Sequence, residues 1–145
     1  MGSQSTLLLV EDNEDDVFLM VRAIRSAGID LPLQTVTDGR QAVEYLSGVG
    51  PYADRATHPA PVLIFLDIKL PQLSGLEVLR WLRTQSEVRR TPVIVLTSSN
   101  NPGDIAEAYD LGANSYVVKP ASFQQLLEFA KAFKNYWLCC NRGPC

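Results

Sequence analysis

The sequence predicts an α/β fold in which a five-stranded parallel sheet carries helices on both faces. Two observations support this prediction: five short apolar runs recur along 145 residues, and a helical pattern follows each run. The runs do not alternate between apolar and polar residues, which is typical of strands covered on both faces. Because crossovers between parallel strands are right-handed, a doubly wound sheet of order 2-1-3-4-5 fits five such units.

The strands are predicted from the apolar runs themselves, at residues 6–10, 33–36, 62–66, 93–97 and 115–118. The first helix is predicted from apolar residues at intervals of three and four, which are Val17, Met20, Val21, Ile24 and Ala27. Asn13 and Glu14 are both candidates to begin this helix, Asn13 being the better cap, and Gly28 ends it. The four later helices are predicted from the segments GRQAVEYLSG, GLEVLRWLRTQ, GDIAEAYDLG and SFQQLLEFAKAFKNYWL.

The length of the chain predicts one domain with a sizeable core. We expect this domain to occupy residues 6–138, between a disordered N-terminus at residues 1–5 and a flexible tail at residues 139–145. A segment rich in proline and glycine, SGVGPYADRATHPAP, separates the second helix from the third strand. We interpret it as an inserted loop and not as a domain boundary.

Charge and hydropathy exclude several classes of function. The net charge is −3 and no run of Lys or Arg occurs, so a nucleic-acid-binding surface is not expected. The apolar runs are four or five residues long, whereas a membrane span needs roughly 20. The three cysteines all lie in the last seven residues and cannot cross-link the core. This placement favours a reducing compartment and a cytoplasmic protein.

Acidic, hydroxyl and basic side chains stand where four of the predicted strands end. Glu11 and Asp12 follow the first strand, Asp67 follows the third, Thr97 ends the fourth, and Lys119 follows the fifth. In a sheet of order 2-1-3-4-5 these ends meet at one crevice. When several carboxylates lie this close together, they cannot all stay ionised unless a cation lies among them or the pKa of one of them rises. Because carboxylate oxygens are ligands for Mg²⁺, the sequence predicts a magnesium site here.

The acids that come next in the chain have a simpler interpretation. Glu14, Asp15 and Asp16 fall in the first turn of the first helix, where the helix dipole favours carboxylates. We therefore interpret these three side chains as helix-capping and solvated, and place them outside the metal site.

The chemistry predicted for the crevice is phosphoryl transfer to a carboxylate. Neither GxxxxGK[ST] nor GxGxxG occurs in the chain, so the phosphoryl group is expected to arrive on a donor and not on a bound nucleotide. An aspartate can accept that group as an acyl phosphate. Lys119 could neutralise the developing charge, and the Thr97 hydroxyl could hydrogen-bond a phosphoryl oxygen.

Four motifs, VEDN, FLDIKLPQLSG, VLTSS and YVVKPAS, occur in the order found in one family. The chain resembles the receiver domains of bacterial two-component response regulators from about Thr6 to Leu138. The resemblance implies a flavodoxin-like, CheY-like fold and a sensor histidine kinase as the phosphoryl donor. It also implies that Asp67 is the phosphoacceptor. The ligands implied for Mg²⁺ are the side chains of Glu11, Asp12 and Asp67 and the backbone carbonyl of Lys69.

The same resemblance assigns the remaining site residues. Thr97 and Tyr116 match the switch hydroxyl and rotating aromatic of the family, and Lys119 matches its phosphate-binding lysine. The peptide bond before Pro120 is expected to be cis. Glu11 is a departure, because many members carry Asp there. Within the family, the chain most resembles the single-domain regulators paired with bacterial phytochrome histidine kinases. The features that carry this resemblance are the loop containing GPYAD and the last helix ending YWL.

Two alternatives on the same fold stay open from the sequence. A phosphatase or mutase with an aspartyl nucleophile usually carries a second acid two positions later as its general acid, whereas this chain has Lys69 there. A phosphate-independent interaction module, or a module for flavin or another cofactor, is the other alternative. We expect a signalling switch and not a turnover enzyme.

The signal is expected to leave through the face made by helix 4, strand 5 and helix 5, by protein contact or phosphorelay. As the Thr97 hydroxyl moves toward the phosphoryl group, the Tyr116 ring can fill the space it leaves. Helix 5 has a first apolar stripe, assigned to the core, of Phe123, Leu126, Leu127, Ala130 and Trp137. Its second apolar stripe contains Phe129, Ala132, Phe133 and Tyr136.

One face of a helix cannot bury both stripes. We therefore expect Phe129, Phe133 and Tyr136 to form a homodimer interface. The alternative is that this second stripe packs beneath the tail or a neighbouring loop.

Overall fold

The computed structural model describes residues 5–141. Its strands are β1 (Leu7–Val10), β2 (Leu33–Val36), β3 (Leu63–Leu66), β4 (Val93–Thr97) and β5 (Ser115–Val118). All pair in parallel, in the order β2-β1-β3-β4-β5. The predicted fold class and strand order are confirmed, and each strand lies within one residue of its predicted bounds.

Five α-helices connect or follow the strands. They are α1 (Glu14–Ser26), α2 (Gly39–Ser47), α3 (Gly75–Leu82), α4 (Pro102–Asp110) and α5 (Phe123–Phe133). The inserted loop contains a short 3₁₀ turn at Gly50–Tyr52, and a π-helical turn at Lys134–Leu138 continues α5. Within residues 5–141 no helix is both long and apolar enough to cross a membrane.

The predictions for the chain ends fall mostly on residues without a description. Residues 1–4 and 142–145 lie outside the described range. The disorder predicted for residues 1–5 and the flexibility predicted for the tail at 139–145 therefore stay predictions, as do the bounds of the domain at 6–138.

Both faces of the sheet are covered, which explains why the strand sequences do not alternate. Successive strand residues point to opposite faces. One face packs against α2 and α3 through Leu8, Val10, Ile64, Leu66, Val93 and Val95. The other packs against α1 and α5 through Leu7, Leu9, Leu63, Phe65, Ile94 and Leu96. With an apolar layer on each side, every position of β1 and β3 is apolar, as is every position of β4 before Thr97.

The turn between β1 and α1 keeps its acids at the edge of the sheet. Asn13 is the residue that caps α1, as predicted, and its side chain accepts a hydrogen bond from the Asp16 backbone N–H at 2.9 Å. The cap lies three residues after Val10, the last residue of β1, and the helix starts at the next residue, Glu14. Glu11 and Asp12 are therefore left outside both elements, at the carboxyl end of the sheet.

Helix α5 corrects the prediction for the dimer interface. Phe133 is only 6% exposed, and its ring centroid lies 5.1 Å from that of Phe65 in the sheet. Phe129 is half-buried, with its ring centroid 6.3 Å from the same ring. The assignment of Phe133 to an exposed stripe is wrong, because Phe129 and Phe133 are four residues apart and both face the sheet.

Leu126, Phe129, Ala130 and Phe133 form the stripe that packs on the sheet, with the spacing of one helix face. Of the predicted interface residues, Tyr136 is 61% exposed. It lies in the π-helical turn, where the wider winding changes the direction in which successive side chains point.

Candidate functional site

Three carboxylates meet at the carboxyl edge of the sheet. The Glu11 N–H donates to the Val36 carbonyl at 3.0 Å, and the Asp67 N–H donates to the Val10 carbonyl at 3.1 Å. These bonds continue the strand pairing and bring the two acids together. Carboxylate oxygens of Glu11, Asp12 and Asp67 lie within 4.8 Å of one another. A cluster of this kind offers the oxygen ligands that hard divalent cations take.

Burial makes this cluster electrostatically unusual. Glu11 is 3% exposed and Asp67 is 5% exposed, whereas Asp12 lies at the surface. An ionised carboxylate that is removed from water is destabilised unless a cation or several hydrogen-bond donors compensate. In this structure Asp67 is compensated both by a cation and by hydrogen-bond donors, and Glu11 is compensated by a cation.

Lys119 is the cation. It follows β5, where its backbone N–H donates to the Thr97 carbonyl at 2.7 Å. Its Nζ lies 2.6 Å from Glu11 Oε1, 3.1 Å from Asp67 Oδ2 and 2.7 Å from Asp16 Oδ2. The predicted convergence of Lys119 with the acids is thus present in the structure.

Asp16 is a site residue that the sequence interpretation missed. The sequence predicts helix capping and solvation for Asp16, whereas its carboxylate is a direct partner of Lys119. The sequence contains one indication that Asp16 belongs to the site: it follows the strand-end acids Glu11 and Asp12 by about one helical turn. Its direction depends on how α1 lies across the sheet, which the local sequence does not determine.

The pKa values follow from this crowding. Burial raises the pKa of Glu11 to about 7, with the nearby charge of Asp67 adding to the effect and the Lys119 and Asn13 hydrogen bonds opposing it. Burial alone would lower the pKa of Lys119, but its hydrogen bonds to Asp16 and Glu11 and its contacts with Asp67 outweigh burial and raise it. Lys119 therefore stays charged, and Glu11 titrates near neutral pH.

Further donors hold the Asp67 carboxylate in place. Thr97, the fully buried last residue of β4, donates its hydroxyl to Asp67 Oδ1 at 2.8 Å. The Lys69 backbone N–H donates to the same oxygen at 2.9 Å. Oδ2 receives the Lys119 ammonium. These contacts orient both oxygens of a buried carboxylate, and they place a hydroxyl and an ammonium where added negative charge would be stabilised.

Tyr116 lies at the border of the same site. The side chain is half-buried on β5, and its hydroxyl donates to the Ser99 carbonyl at 2.8 Å. Burial is the main cause that raises the pKa of Tyr116, so its hydroxyl stays a donor at neutral pH. The bond links β5 to the loop that follows Thr97.

The prediction of a cis bond before Pro120 is wrong. Residues 5–141 contain no cis peptide bond. The trans form is the one that X–Pro bonds ordinarily favour, by about 0.5–1 kcal/mol, and with it Lys119 already reaches all three of its carboxylate partners.

Comparison with known families and proteins adds independent findings. Residues 7–131 match the family described as the response regulator receiver domain. The probable methanogenesis regulatory protein FilR2 of Methanothrix harundinacea is 36% identical over 95% of this chain and 86% of its own. The response regulator Rcp1 of Synechocystis sp. is 34% identical over 91% of this chain and 88% of its own.

Two solved structures extend the similarity to nearly the whole fold. The phosphorylated cyanobacterial phytochrome response regulator RcpA has a TM-score of 0.90 at 36% identity, covering 99% of this chain and 100% of its own. The Mn²⁺-bound form of Rcp1 has a TM-score of 0.86 at 33% identity, covering 97% of this chain and 99% of its own.

Proposed function

The chain belongs to the response regulator receiver domain family, a family of phosphorylation-dependent signalling proteins, and we propose that Asp67 is its phosphoacceptor. The observation that carries this proposal is the setting of the Asp67 carboxylate. Thr97 and Lys119 contact its two different oxygens, and two further acids lie beside it. The proposed donor is a phosphohistidine of a sensor histidine kinase.

In the proposed transfer, an Asp67 carboxylate oxygen forms a bond to phosphorus. The bond between phosphorus and the donor imidazole nitrogen breaks, and its electron pair stays on that nitrogen. Lys119 and Thr97 are well placed to stabilise the phosphoryl oxygens by charge and by hydrogen bonding. The product is an acyl phosphate, which water later hydrolyses.

Glu11, Asp12 and Asp67 are the proposed ligands of Mg²⁺, with the Lys69 carbonyl as a fourth. The donor set fits a hard cation, because three carboxylate oxygens lie within 4.8 Å of one another. When bound, the ion supplies positive charge that makes a dianionic phosphoryl group tolerable beside these acids. The Mn²⁺-bound form of the relative Rcp1 supports a divalent cation here. Glu11 and Asp67, which contact the Lys119 ammonium at 2.6 and 3.1 Å, would then be shared between that ammonium and the cation.

The proposed switch connects Thr97 and Tyr116 to the face of α4, β5 and α5. A phosphoryl group on Asp67 would draw the Thr97 hydroxyl and free the Tyr116 ring to move inward. Tyr136 at the end of this face is well exposed, as a protein contact requires. Pairing of two copies through α5 stays a proposal, with Tyr136 and not Phe133 in the contact.

A bacterial phytochrome histidine kinase is the proposed partner, and the cytoplasm the proposed location. Similarity to the phytochrome regulator RcpA over nearly the full chain supports this partner. The inserted loop is also built into the fold: Arg55 donates to the carbonyls of Tyr45, Leu46 and His58. A loop fixed by these hydrogen bonds offers a defined surface to a partner.

An aspartyl phosphatase is the weaker reading of the same carboxylate. Such an enzyme needs a general acid beside the leaving group. Two residues after Asp67 the chain has Lys69, whose ammonium lies near Asp104. A phosphate-independent interaction module is the remaining alternative, and phosphorylation itself separates it from a switch.

Intact mass after incubation with Mg²⁺ and acetyl phosphate tests the proposal. We expect the wild type to gain the mass of one phosphoryl group and to lose this gain in EDTA. The Asp67→Asn variant is expected to gain nothing. A gain of equal size in Asp67→Asn would show that another residue accepts the group, and no gain in either protein, with this donor or a kinase, would contradict a phosphoryl switch.

A further inference from the structure

A chain of contacts joins α4 to the segment that follows Asp67. The Ser99 hydroxyl donates to Asp104 Oδ2 at 2.6 Å, and Lys69 Nζ lies 3.8 Å from the same oxygen. The Lys69 backbone N–H in turn donates to Asp67 Oδ1. Asp104 thus contacts two loops that border the phosphoacceptor, one after β3 and one after β4.

The Asp104 side chain is better stabilised and less exposed than that of an ordinary surface acid. It is the third residue of α4, where the helix dipole stabilises a negative charge. Its side chain is 26% exposed. Glu107, one turn later, has a side chain that is 51% exposed, with Arg80 at 3.9 Å. Asp104 is therefore a candidate for a role that Glu107 does not have.

The backbone of Lys69 is fixed by a hydrogen bond, whereas its side chain is largely exposed to solvent. Its backbone is held beside Asp67 by the hydrogen bond to Oδ1, whereas its side chain is 64% exposed. Among residues 5–141, Asp104 is the one carboxylate that forms an ion pair with it. A lysine stem is flexible, so the ammonium can lie near Asp104 or swing toward a new negative group on Asp67.

We propose that Asp104 is a positioning residue that holds the Lys69 ammonium away from Asp67, so that helix α4 and the phosphorylated site compete for this one cation. The inference rests on the proposed function of Asp67. When Lys69 leaves, Asp104 keeps the Ser99 hydroxyl and the N-terminus of α4 as stabilising partners. The cost of the exchange is therefore small.

The exchange would reach the switch through Ser99. Its hydroxyl donates to Asp104, and its carbonyl accepts the Tyr116 hydroxyl. A change in the charge balance at Asp104 therefore acts on the loop that anchors Tyr116. This gives phosphorylation a second path to α4, in addition to the movement of Thr97.

A double-mutant cycle on the rate of phosphorylation by acetyl phosphate tests the proposal. Asp104→Asn frees the Lys69 ammonium to attract the anionic donor, so we expect the second-order rate to rise about two- to fivefold, the range of an exposed ion pair. In a Lys69→Met background, Asp104→Asn is expected to have little effect. Glu107→Gln, which removes a charge from the same helix, is expected to leave the rate unchanged.

Equal factors for Asp104→Asn in the two backgrounds would overturn the proposal, because Asp104 would then act through its own charge. Amide NMR of the unphosphorylated protein gives an independent readout. There, Asp104→Asn is expected to shift the resonances of Lys69, Ser99 and Tyr116, whereas Glu107→Gln leaves them in place.

Unmoved Lys69 and Ser99 resonances in Asp104→Asn would also overturn the positioning role. If the wild type gained no phosphoryl group at all, the proposed function would fail. The NMR comparison would then still decide whether Asp104 holds Lys69.

Discussion

Lys119 faces more negative charge than it can neutralise. Its single ammonium lies within 3.1 Å of oxygens from Glu11, Asp16 and Asp67, and Asp12 lies close by. One positive charge among four acids leaves an excess of negative charge, and two of these acids, Glu11 and Asp67, are buried. The structure relieves this excess in two ways, by raising the pKa of Glu11 and by leaving carboxylate oxygens in position for a divalent cation.

The raised pKa of Glu11 predicts a pH dependence of stability in metal-free protein. Its pKa rises from 4.5 to about 7 on folding, so between these values the folded state holds a proton that the unfolded state has released. The free energy of unfolding should therefore fall as pH rises through this window, by about 1–3 kcal/mol. Urea unfolding in EDTA at pH 4.5, 5.5, 6.5 and 7.5 measures it, and Glu11→Gln should flatten the slope.

The matched control for this experiment is Glu14→Gln. Glu14 is exposed in the first turn of α1, and its removal should leave the slope of the wild type unchanged. If Glu11→Gln kept the full slope, the titrating group would have to be another residue and the assignment to Glu11 would be wrong.

The positions of the site residues were predictable to different degrees. Glu11, Asp67, Thr97 and Lys119 meet because the carboxyl ends of neighbouring parallel strands lie at one edge, which follows from strand order alone. Asp16 was missed, since its direction depends on the packing of α1 and not on strand order. Local sequence thus located the strand-end residues and failed for a residue placed by helix packing.

At the level of elements, α3 approaches Asp67 through Gly75. A Cβ added there would lie 2.2 Å from the Asp67 carbonyl oxygen, so the helix can start this close only without a side chain. Gly75→Ala should push α3 away from Asp67 and destabilise the fold by about 1–3 kcal/mol. It should also slow phosphorylation by acetyl phosphate, because the donors to Asp67 shift.

Gly50→Ala is the comparison for Gly75→Ala. Gly50 has φ of +58° and open space around its Cβ position, so it tests backbone strain without a clash. It should cost about 1–2 kcal/mol and leave the phosphorylation rate at the wild-type value. Equal losses of phosphorylation in the two variants would contradict a specific role for the approach at Gly75.

Helix α5 packs on the sheet through Phe133, and this predicts unequal effects of two aromatic substitutions. Phe133→Ala removes a buried ring in contact with Phe65 and should lower the free energy of unfolding by about 3–5 kcal/mol. Tyr136→Ala removes an exposed ring and should change it by less than about 0.5 kcal/mol. Urea unfolding compares them. A small effect of Phe133→Ala would mean that α5 does not depend on this contact.

The misassignment of Phe133 has a physical cause. Helix α5 carries apolar residues at most angles of its helical wheel, so several stripes are equally apolar in sequence. Which stripe meets the sheet is decided by the position of Phe65 and by the rotation of α5 against it. The existence and type of the element were predictable from periodicity, whereas its rotation was not.

At the scale of the whole molecule, the site is assembled only when the sheet forms. Four of the five strands end at a site residue or directly before one, and only β2 does not. The acids of the cluster come from segments after β1 and after β3, which are brought together only when the sheet forms. A ligand of this cluster therefore binds the folded state and not the unfolded chain.

This linkage predicts that Mg²⁺ stabilises the whole protein. At a free Mg²⁺ concentration of about ten times the dissociation constant, the free energy of unfolding should rise by about 1.4 kcal/mol. The increase should vanish in EDTA and be strongly reduced in Asp12→Asn, which removes one carboxylate from the cluster. Thermal or urea unfolding across a Mg²⁺ titration at constant ionic strength measures this effect.

Asp15→Asn provides the control, because Asp15 is an exposed acid three residues from Asp12 and lies outside the cluster. It should respond to Mg²⁺ as the wild type does, since general screening of the acidic segment is the same in both variants. A loss of the Mg²⁺ effect in Asp15→Asn as large as in Asp12→Asn would mean that the ion acts on the summed charge of this segment. A loss confined to Asp12→Asn would assign the binding energy to the three-carboxylate cluster at the end of the sheet.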